Sequence, residues 1–128
     1  MEITVGMKGE AFNEVERADT ALEVGSGSLL VYATPCMVAL MEGAACAAIE
    51  EALAQGKTSV GTQLNISHIS ATPVGMEVKA VAEVTEVEGN VIKFALEAFD
   101  ESGKIGEGTH TRVIISEQKF LEKTYDKL

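Results

Sequence analysis

Three polar residues stand where the surrounding pattern calls for apolar side chains. Thr34 opens an apolar helical run, Glu42 interrupts that run, and His68 lies near the end of a later strand pattern. A hydroxyl, a carboxylate and an imidazole are the groups that activate a nucleophile or a water molecule and orient its base. If the fold brings the three together, the sequence predicts acid–base or nucleophilic chemistry at that point.

Each of these residues also has a structural explanation. Thr34 stands before Pro35 and suits a helix N-cap, with the proline at the first helical position. Glu42 could line an exposed stripe or a dimer interface, because burying a lone carboxylate is costly. Strand parity places His68 on the inward face with Val60, Leu64 and Ile66. A histidine in that place is either a satisfied core residue or a catalytic one.

The spacing of Thr34 and Glu42 favours the catalytic alternative. Eight residues advance about two helical turns and rotate roughly 80° around the axis, so both side chains lie on one broad flank. A histidine from a neighbouring strand, such as His68, could reach that flank. We therefore expect Thr34, Glu42 and His68 to form the catalytic group.

The second histidine gives no support for a metal centre. His110 shares strand parity with Lys104 and Arg112, so we expect it on a solvated, polar face. Neither histidine has Asp or Glu residues at the spacings typical of metal ligands. The sequence also lacks G-x-G-x-x-G and the P-loop pattern. We therefore expect no metal site and no dinucleotide or P-loop phosphate site.

The elements that position these residues indicate a single α+β domain over residues 1–128. Weak alternation predicts a first strand at 7–15, and residues 19–24 could form one helical turn. The run 34–49 is apolar on nearly every side, which is typical of a buried helix. From residue 58 onward the apolar period is two, which predicts about four strands joined by hairpin turns. This order favours one long buried helix wrapped by a curved antiparallel sheet.

Charge and composition exclude several classes of partner. The formal net charge is −10, and Arg17 and Arg112 are the two arginines of the chain. Binding to duplex nucleic acid or to an anionic membrane needs clustered cations, so we expect neither partner. Aromatic residues make up 5% of the chain, which argues against a base-stacking platform.

The cysteines and the N-terminus favour the cytoplasm. Cys36 and Cys46 lie ten residues apart in the predicted helix, roughly 15 Å along its axis, which is too far for a disulfide. Residues 1–6 lack the basic and apolar regions of a signal peptide, and no apolar run is long enough to span a bilayer. We therefore expect a cytoplasmic protein with reduced thiols.

Five segments of the chain resemble the hotdog-fold thioesterases, in particular the fluoroacetyl-CoA thioesterase-like branch. They are Val31–Pro35, Met37–Ala45, Val60–His68, Ala71–Gly75 and Gly106–Arg112, and the similarity extends over about residues 7–121. The resemblance implies a hotdog fold and a homodimer, or a dimer of dimers, with active sites near the dimer interface. It implies hydrolysis of a short acyl-CoA thioester to the free acid and CoA, without a cofactor.

The resemblance also implies a role for each site residue. Thr34 would bind or attack the thioester, Glu42 would act as base or nucleophile, and His68 would orient groups and transfer protons. The backbone amide of Gly61 would donate to the oxyanion. Whether water, Glu42 or Thr34 attacks stays open. The candidate cations for the CoA phosphates are Arg112, Lys79, Lys93 and Lys104.

One segment departs from the family pattern. The fluoroacetyl-selective branch is associated with bulky aromatic residues ahead of the catalytic threonine, whereas this chain has Gly25–Ser28 there. We therefore expect a different acyl selectivity. Two alternative functions fit the same fold: a non-catalytic acyl-CoA-binding or sensing module, and a hotdog enoyl-CoA hydratase or dehydratase.

Overall fold

The computed structural model describes residues 2–128, which form a five-stranded antiparallel sheet and one long helix. The strands are β1 (Lys8–Glu14), β2 (Lys57–His68), β3 (Glu77–Glu88), β4 (Val91–Asp100) and β5 (Gly103–Ser116). The helices are α1 (Ala21–Val24), α2 (Thr34–Ile49) and α3 (Glu117–Tyr125), with 3₁₀ turns at Arg17–Asp19 and Glu50–Ala52. The spatial order of the strands is β1-β3-β4-β5-β2. The predicted α+β architecture, with α2 against the sheet, is confirmed.

The start of α2 differs from the prediction by one residue. Ala33 is the N-cap, while Thr34 and Pro35 are the first two helical residues. The expectation that Thr34 is the N-cap is therefore wrong. Its hydroxyl makes no capping hydrogen bond, which leaves the side chain available for another partner.

One face of α2 forms the centre of the core. It packs on the apolar inner faces of β1, β3 and β4. The buried helix residues are Met37, Met41, Ala44, Ala45 and Ile49. Gly9 of β1 lies so close to the helix that a Cβ there would overlap the backbone of Ala44 and Ala48. Backbone contact of this kind explains a glycine in the middle of a strand.

The opposite face of α2 carries a stripe of small residues that the sheet does not cover. The residues of this helix stripe are Pro35, Ala39, Gly43 and Ala47, and all four are exposed. They recur every four positions, which places them on one side of the helix. The curved sheet therefore covers the apolar face of the long helix and leaves this stripe uncovered.

A β-bulge in β2 changes which of its side chains face the helix. The pairing of β2 with β5 shifts between Gly61 and Gln63. Because a bulge inserts one residue, the alternation of inward and outward side chains changes parity across it. Ser59 is accordingly buried on the inner face before the bulge, and His68 lies on that face after it. The expectation that Val60 shares a face with His68 is therefore wrong.

A second bulge, in β5, turns His110 and Arg112 inward. The pairing of β5 with β4 shifts between Lys104 and Gly106, so Lys104 lies on the opposite face from the even-numbered residues that follow. Lys104 pairs with Glu97 at 2.9 Å on the outer face. His110 and Arg112 are only 2% and 7% exposed. The expectation that they share a solvated face with Lys104 is wrong, because the bulge reverses the parity.

Strand β2 forms one edge of the sheet and pairs only with β5 among the described strands. Most of its side chains between Gly61 and His68 are exposed or half-buried. None of the helices within residues 2–128 is both long enough and apolar enough to cross a membrane. The fold therefore leaves two uncovered surfaces next to each other in the chain, the helix stripe and the β2 edge.

Candidate active site

The structure brings two of the three predicted catalytic residues into direct contact. Thr34, at the start of α2, and His68, at the end of β2, meet where these two elements approach each other. The distance between Thr34 Oγ1 and His68 Nδ1 is 2.7 Å. A hydroxyl and an imidazole at hydrogen-bond distance have the geometry that a nucleophile and its base require. We call these two residues the Thr34–His68 pair.

Hydrogen bonds from neighbouring loops fix the start of α2. The Ala33 backbone N–H donates to the Asp19 carbonyl at 2.9 Å, and the Tyr32 N–H donates to the Thr72 carbonyl at 2.9 Å. Thr72 is itself fully buried, and its hydroxyl donates to the Asp100 carboxylate at 2.8 Å. The chain before Thr34 is thus held to the sheet, which sets the direction of the Thr34 hydroxyl.

His68 has the protonation behaviour expected of a base. Burial lowers the pKa of His68, and its backbone interaction with Ser70 opposes that shift in part. The ring is therefore neutral at pH 7 and can accept a proton. Its Nε2 atom is buried and has no hydrogen-bond partner within residues 2–128. A buried ring nitrogen of this kind needs a partner from substrate, water or a second chain.

A cavity of about 320 Å³ opens beside the Thr34–His68 pair. Its other lining residues are Ala21, Ser26, Val31, Tyr32, Ile69, Ser70 and Ala71. A larger cavity of about 510 Å³ lies near the other end of α2, beside Leu53 and Ile92. The lining of the larger cavity includes none of the predicted catalytic residues. The larger volume therefore does not mark the active site. We place the candidate site at the smaller cavity, which Thr34 and His68 line.

Glu42 lies in a second polar group, about 12 Å along α2 from Thr34. The Glu42 side chain is 35% exposed, and Arg112 Nη1 donates to its Oε2 at 3.3 Å. Ser59 anchors the same guanidinium: Nε donates to the Ser59 hydroxyl at 2.8 Å, and Nη2 donates to the Ser59 carbonyl at 3.0 Å. A buried arginine is tolerated here because every nitrogen of its guanidinium has a partner.

His110 completes this second group. Its Nδ1 lies 2.9 Å from the Gln63 carbonyl and its Nε2 lies 3.1 Å from Arg112 Nη1. The ring stacks on Phe94 with 5.9 Å between ring centroids. Burial lowers the pKa of His110, Arg112 lowers it further, and the contacts with Gln63 and Glu42 oppose the shift. We call Glu42, Ser59, His110 and Arg112 together the Glu42 cluster.

Gly61 leaves the space that the Glu42 carboxylate occupies. A Cβ at Gly61 would lie 2.7 Å from Glu42 Oε2, 3.1 Å from His110 Cε1 and 3.3 Å from Arg112 Nη1. Its φ does not fall in the left-handed region, so contact and not backbone conformation requires the glycine. Gly61 therefore belongs beside the Glu42 cluster, and its role as an oxyanion donor stays a prediction.

Sequence reasoning missed Ser59 and placed His110 in solvent. One signal was available for the cluster, because a carboxylate within an apolar helix needs a cation nearby. The chain has two arginines, and Arg112 is the one that lies in a predicted strand. No group of three or more His, Cys, Asp or Glu side chains that could hold a metal occurs in the described part of the chain.

Comparison with known proteins gives concordant matches. A family model described as fluoroacetyl-CoA-specific thioesterase matches residues 15–118. A fluoroacetyl-CoA thioesterase from Streptantibioticus cattleyicolor is 40% identical over 97 residues, which cover 76% of this chain and 70% of that protein. The solved structure of a threonine-to-serine variant of fluoroacetyl-CoA thioesterase, in complex with acetyl-CoA, superposes with a TM-score of 0.92. That match is 33% identical and covers 98% of each chain.

A more distant structure supports the fold alone. A hot-dog-like protein from Thermanaerovibrio acidaminovorans is 21% identical and has a TM-score of 0.88, with coverage of 98% of this chain and 93% of that chain. The agreement at this low identity shows that the sheet order and the long helix are shared features of the architecture. The predicted hotdog fold is confirmed.

Proposed function

Because the chain belongs to the fluoroacetyl-CoA-specific thioesterase family, we propose that it hydrolyses a short-chain acyl-CoA thioester to the free acid and CoA. Family membership confirms the thioesterase class that the sequence motifs predicted. The observation that carries the proposal for this chain is the 2.7 Å contact between the Thr34 hydroxyl and His68 Nδ1. No cofactor enters the proposal, since the CoA thioester is the substrate.

In the proposed reaction, Thr34 attacks the thioester carbonyl and His68 is its base. His68 Nδ1 takes the hydroxyl proton as Thr34 Oγ1 bonds to the carbonyl carbon. Collapse of the tetrahedral intermediate breaks the C–S bond, and the CoA thiolate leaves with the proton from His68. Water then attacks the acyl ester on Thr34, with His68 again taking and returning the proton, and the acid is released.

We propose that Glu42 and Gly61 act on the opposite side of the carbonyl. Arg112 holds Glu42 through Oε2, while Oε1 takes no part in the hydrogen bonds of the Glu42 cluster. Oε1 is thus able to accept a hydrogen bond from the attacking water and orient it, while His68 takes the proton. The backbone amide of Gly61, which lies beside this carboxylate, is the proposed donor to the oxyanion. We assign Arg112 to Glu42 and not to the CoA phosphates, because its guanidinium is buried.

We propose a homodimer built on the two uncovered surfaces. The β2 edge presents unpaired backbone groups along Lys57–His68, and such an edge is a template for pairing with another chain. The helix stripe on α2 offers only small side chains, so a second helix can approach closely. A two-fold axis satisfies both surfaces at once. Sedimentation distinguishes the dimer from a dimer of dimers.

The distances within one chain favour a site shared between two protomers. Thr34 and Glu42 lie about 12 Å apart along α2, which is too far for both to contact one thioester carbonyl. A two-fold axis pairs the β2 edges in antiparallel fashion, so the His68 end of one strand lies toward the half of the other that carries Gly61. We propose that each site combines the Thr34–His68 pair of one protomer with the Glu42 cluster of its partner.

The cavity beside the Thr34–His68 pair supports a small acyl group. Its volume of about 320 Å³ suits an acyl group of a few carbons together with the end of the pantetheine arm. Gly25 to Ser28 are exposed and carry no aromatic side chain. We therefore propose that this chain does not select for the fluoroacetyl group. The free thiols of Cys36 and Cys46 suit the reducing cytoplasm, which is the proposed compartment.

Thiol release from a panel of short acyl-CoAs tests the activity. Acetyl-, propionyl-, butyryl- and fluoroacetyl-CoA are compared for the wild type and for Glu42→Gln and His68→Ala, with circular dichroism as the folding control. We expect release by the wild type and a loss of about 10²-fold or more in each variant. Wild-type rates in both variants would contradict the assigned roles. Binding without release would favour the sensing module. With a short enoyl-CoA as substrate, loss of its conjugated absorbance with an intact thioester would favour the hydratase.

A mixed dimer tests the shared site. His68→Ala and Glu42→Gln chains each keep only about 1% of the activity or less on their own. Co-expression makes heterodimers that contain one site with both native residues if the site is shared. The expected activity is about a quarter of the wild-type value, since half of the dimers are mixed and each has one intact site. If each site lies within one chain, co-expression restores nothing.

A further inference from the structure

The contacts of His110 determine which of its ring nitrogens carries the proton. Nδ1 lies 2.9 Å from the backbone carbonyl of Gln63. A carbonyl oxygen can only accept, so Nδ1 must be the protonated nitrogen that donates to it. In the neutral ring, Nε2 is then a lone-pair acceptor, and the Arg112 Nη1 donor at 3.1 Å occupies it. The geometry thus specifies one tautomer and one direction for each hydrogen bond.

This tautomer supplies the last contact that orients the arginine. Ser59 holds Nε and Nη2 of Arg112, and these two bonds fix the guanidinium on β2. Nη1 remains, and its two hydrogens point to the Glu42 carboxylate and to His110 Nε2. His110 Nε2 and Glu42 Oε2 are 3.9 Å apart, so the two acceptors flank one donor nitrogen. A neutral His110 is therefore required for Nη1 to be satisfied on both sides.

We propose that His110 is a positioning residue for Glu42: as a neutral acceptor from Arg112, it fixes the guanidinium that aims the Glu42 carboxylate. The proposal rests on the proposed thioester hydrolysis, in which Glu42 acts on the attacking water. His110 itself is buried, with Nε2 at 3.9 Å from Oε2 of this carboxylate. It acts only through Arg112 and Glu42.

Protonation of His110 would replace its hydrogen bond from Arg112 with a repulsion between two positive charges. A second ring N–H at Nε2 would face the Arg112 guanidinium, and two cations would oppose each other in a buried place. The groups that face the ring are Arg112 from β5, Glu42 from α2, the Gln63 carbonyl from β2 and the Phe94 ring from β4. Of these, Glu42 is the single anion, so a charged His110 would draw the carboxylate away from its contact with Arg112. Activity should therefore fall at acid pH through His110 as well as through His68.

A double-mutant cycle tests the proposal. His110→Phe keeps a ring against Phe94 but cannot accept from Arg112, whereas His110→Gln offers an amide oxygen near the position of Nε2. Thiol release is measured for both variants in the wild-type and in the Glu42→Gln background. We expect His110→Phe to lower kcat by about tenfold to 100-fold with little change in KM. We expect His110→Gln to recover most of that loss and to remove the His110 contribution to the acid limb of the pH profile.

The cycle separates positioning from a general structural role. If His110 acts through Glu42, His110→Phe changes kcat by less than about twofold in the Glu42→Gln background. An equal loss in both backgrounds would overturn the proposal. If His110→Phe does not fold, Ser59→Ala removes one anchor of the same guanidinium and carries the same expectation.

The tautomer provides a test that does not depend on activity. Nitrogen-15 NMR of the histidine rings in the wild type should report a protonated Nδ1 and a bare Nε2 for His110 near pH 7. A protonated Nε2 would overturn the inference whatever the activity. Absence of thiol release by the wild type would overturn the proposed function instead, so the two failures are distinguishable.

Discussion

The Thr34–His68 pair and the Glu42 cluster are built on opposite principles. The pair joins an exposed hydroxyl to a half-buried ring through one hydrogen bond, and His68 Nε2 has no partner within residues 2–128. The cluster buries an arginine and a histidine under a carboxylate, and five hydrogen bonds tie Arg112 and His110 to their neighbours. The pair is open and incomplete, whereas the cluster is closed and satisfied.

This difference suits the two groups to different tasks: the Thr34–His68 pair to proton exchange and the Glu42 cluster to holding a charged group in a fixed position. A nucleophile and its base must exchange protons and change partners during turnover, so few fixed contacts are an advantage there. A group that orients water or stabilises charge works best when its position is set before the substrate arrives. Substitutions in the pair should therefore reduce rate with little effect on stability, and substitutions in the cluster should reduce both.

The largest expected effect is on turnover at the pair. Thr34→Ala should lower kcat by about 10²-fold to 10⁴-fold, because it removes the hydroxyl that His68 activates, while Thr34→Ser should keep most of the activity. The free energy of unfolding should change by less than about 1 kcal/mol, since the side chain is exposed. Thiol release and urea unfolding measure the two quantities. Similar kcat values for the alanine and serine variants would remove Thr34 from the chemistry.

The next effect is on stability in the cluster. Arg112→Met should lower the free energy of unfolding by about 2–4 kcal/mol, because it leaves Ser59, His110 and a half-buried Glu42 without their partner. Urea unfolding at a fixed protein concentration measures the change.

A matched arginine provides the control for that measurement. Arg17 pairs with Glu23 at 2.9 Å, but its side chain is 68% exposed. Arg17→Met should therefore change stability by less than about 0.5 kcal/mol. Equal losses of stability at the two arginines would show that the burial of Arg112 does not make its contacts more stabilising than those of exposed Arg17.

A smaller effect is expected where the cluster meets Gly61. Gly61→Ala places a methyl group 2.7 Å from Glu42 Oε2, so the carboxylate must move from its contact with Arg112. We expect kcat to fall by about tenfold and stability by about 1 kcal/mol. In a Glu42→Ala background the same change should have a smaller effect on stability, because the atom that it displaces is gone. An unchanged rate for Gly61→Ala would show that the exact place of the carboxylate is unimportant.

The pair was predictable from the sequence because both members lie at element ends. Thr34 stands before a proline at the start of an apolar run, and His68 precedes the loop that begins at Ser70. The strands and the long helix followed from apolar periodicity, and their order favoured an antiparallel sheet around one helix. The exposed helix stripe did not follow, since small apolar residues fit a buried and an uncovered face equally well.

Strand parity could not predict the cluster, because two bulges interrupt the alternation of the strands that carry its members. Strict alternation counted from Lys104 places His110 and Arg112 on the solvent-exposed face. Strict alternation that puts Val60 on the inner face places Ser59 on the outer one. A bulge depends on the pairing partner as well as on the local sequence. The spacing of Thr34 and Glu42 predicted a shared flank of the helix but not a shared site. Two helical turns separate them by about 12 Å along the axis, so both cannot contact the same thioester carbonyl.

The smallest expected effect is the dependence of stability on mildly acidic pH. Burial lowers the pKa of both His68 and His110 below the usual value of 6.5. Below 6.5 the unfolded chain binds protons that the folded chain does not, so the free energy of unfolding decreases as pH falls. The loss is complete once the pH is below the folded pKa values. His110 should contribute more than His68, because it is only 2% exposed.

Urea midpoints between about pH 7.5 and about pH 5 measure this dependence for the wild type, His110→Gln and His68→Gln. The difference between the wild type and each variant gives the contribution of the substituted histidine. We expect the acid loss to shrink more in His110→Gln than in His68→Gln. The reverse order would place the stronger desolvation at the pair, and it would contradict the contrast between an open Thr34–His68 pair and a closed Glu42 cluster.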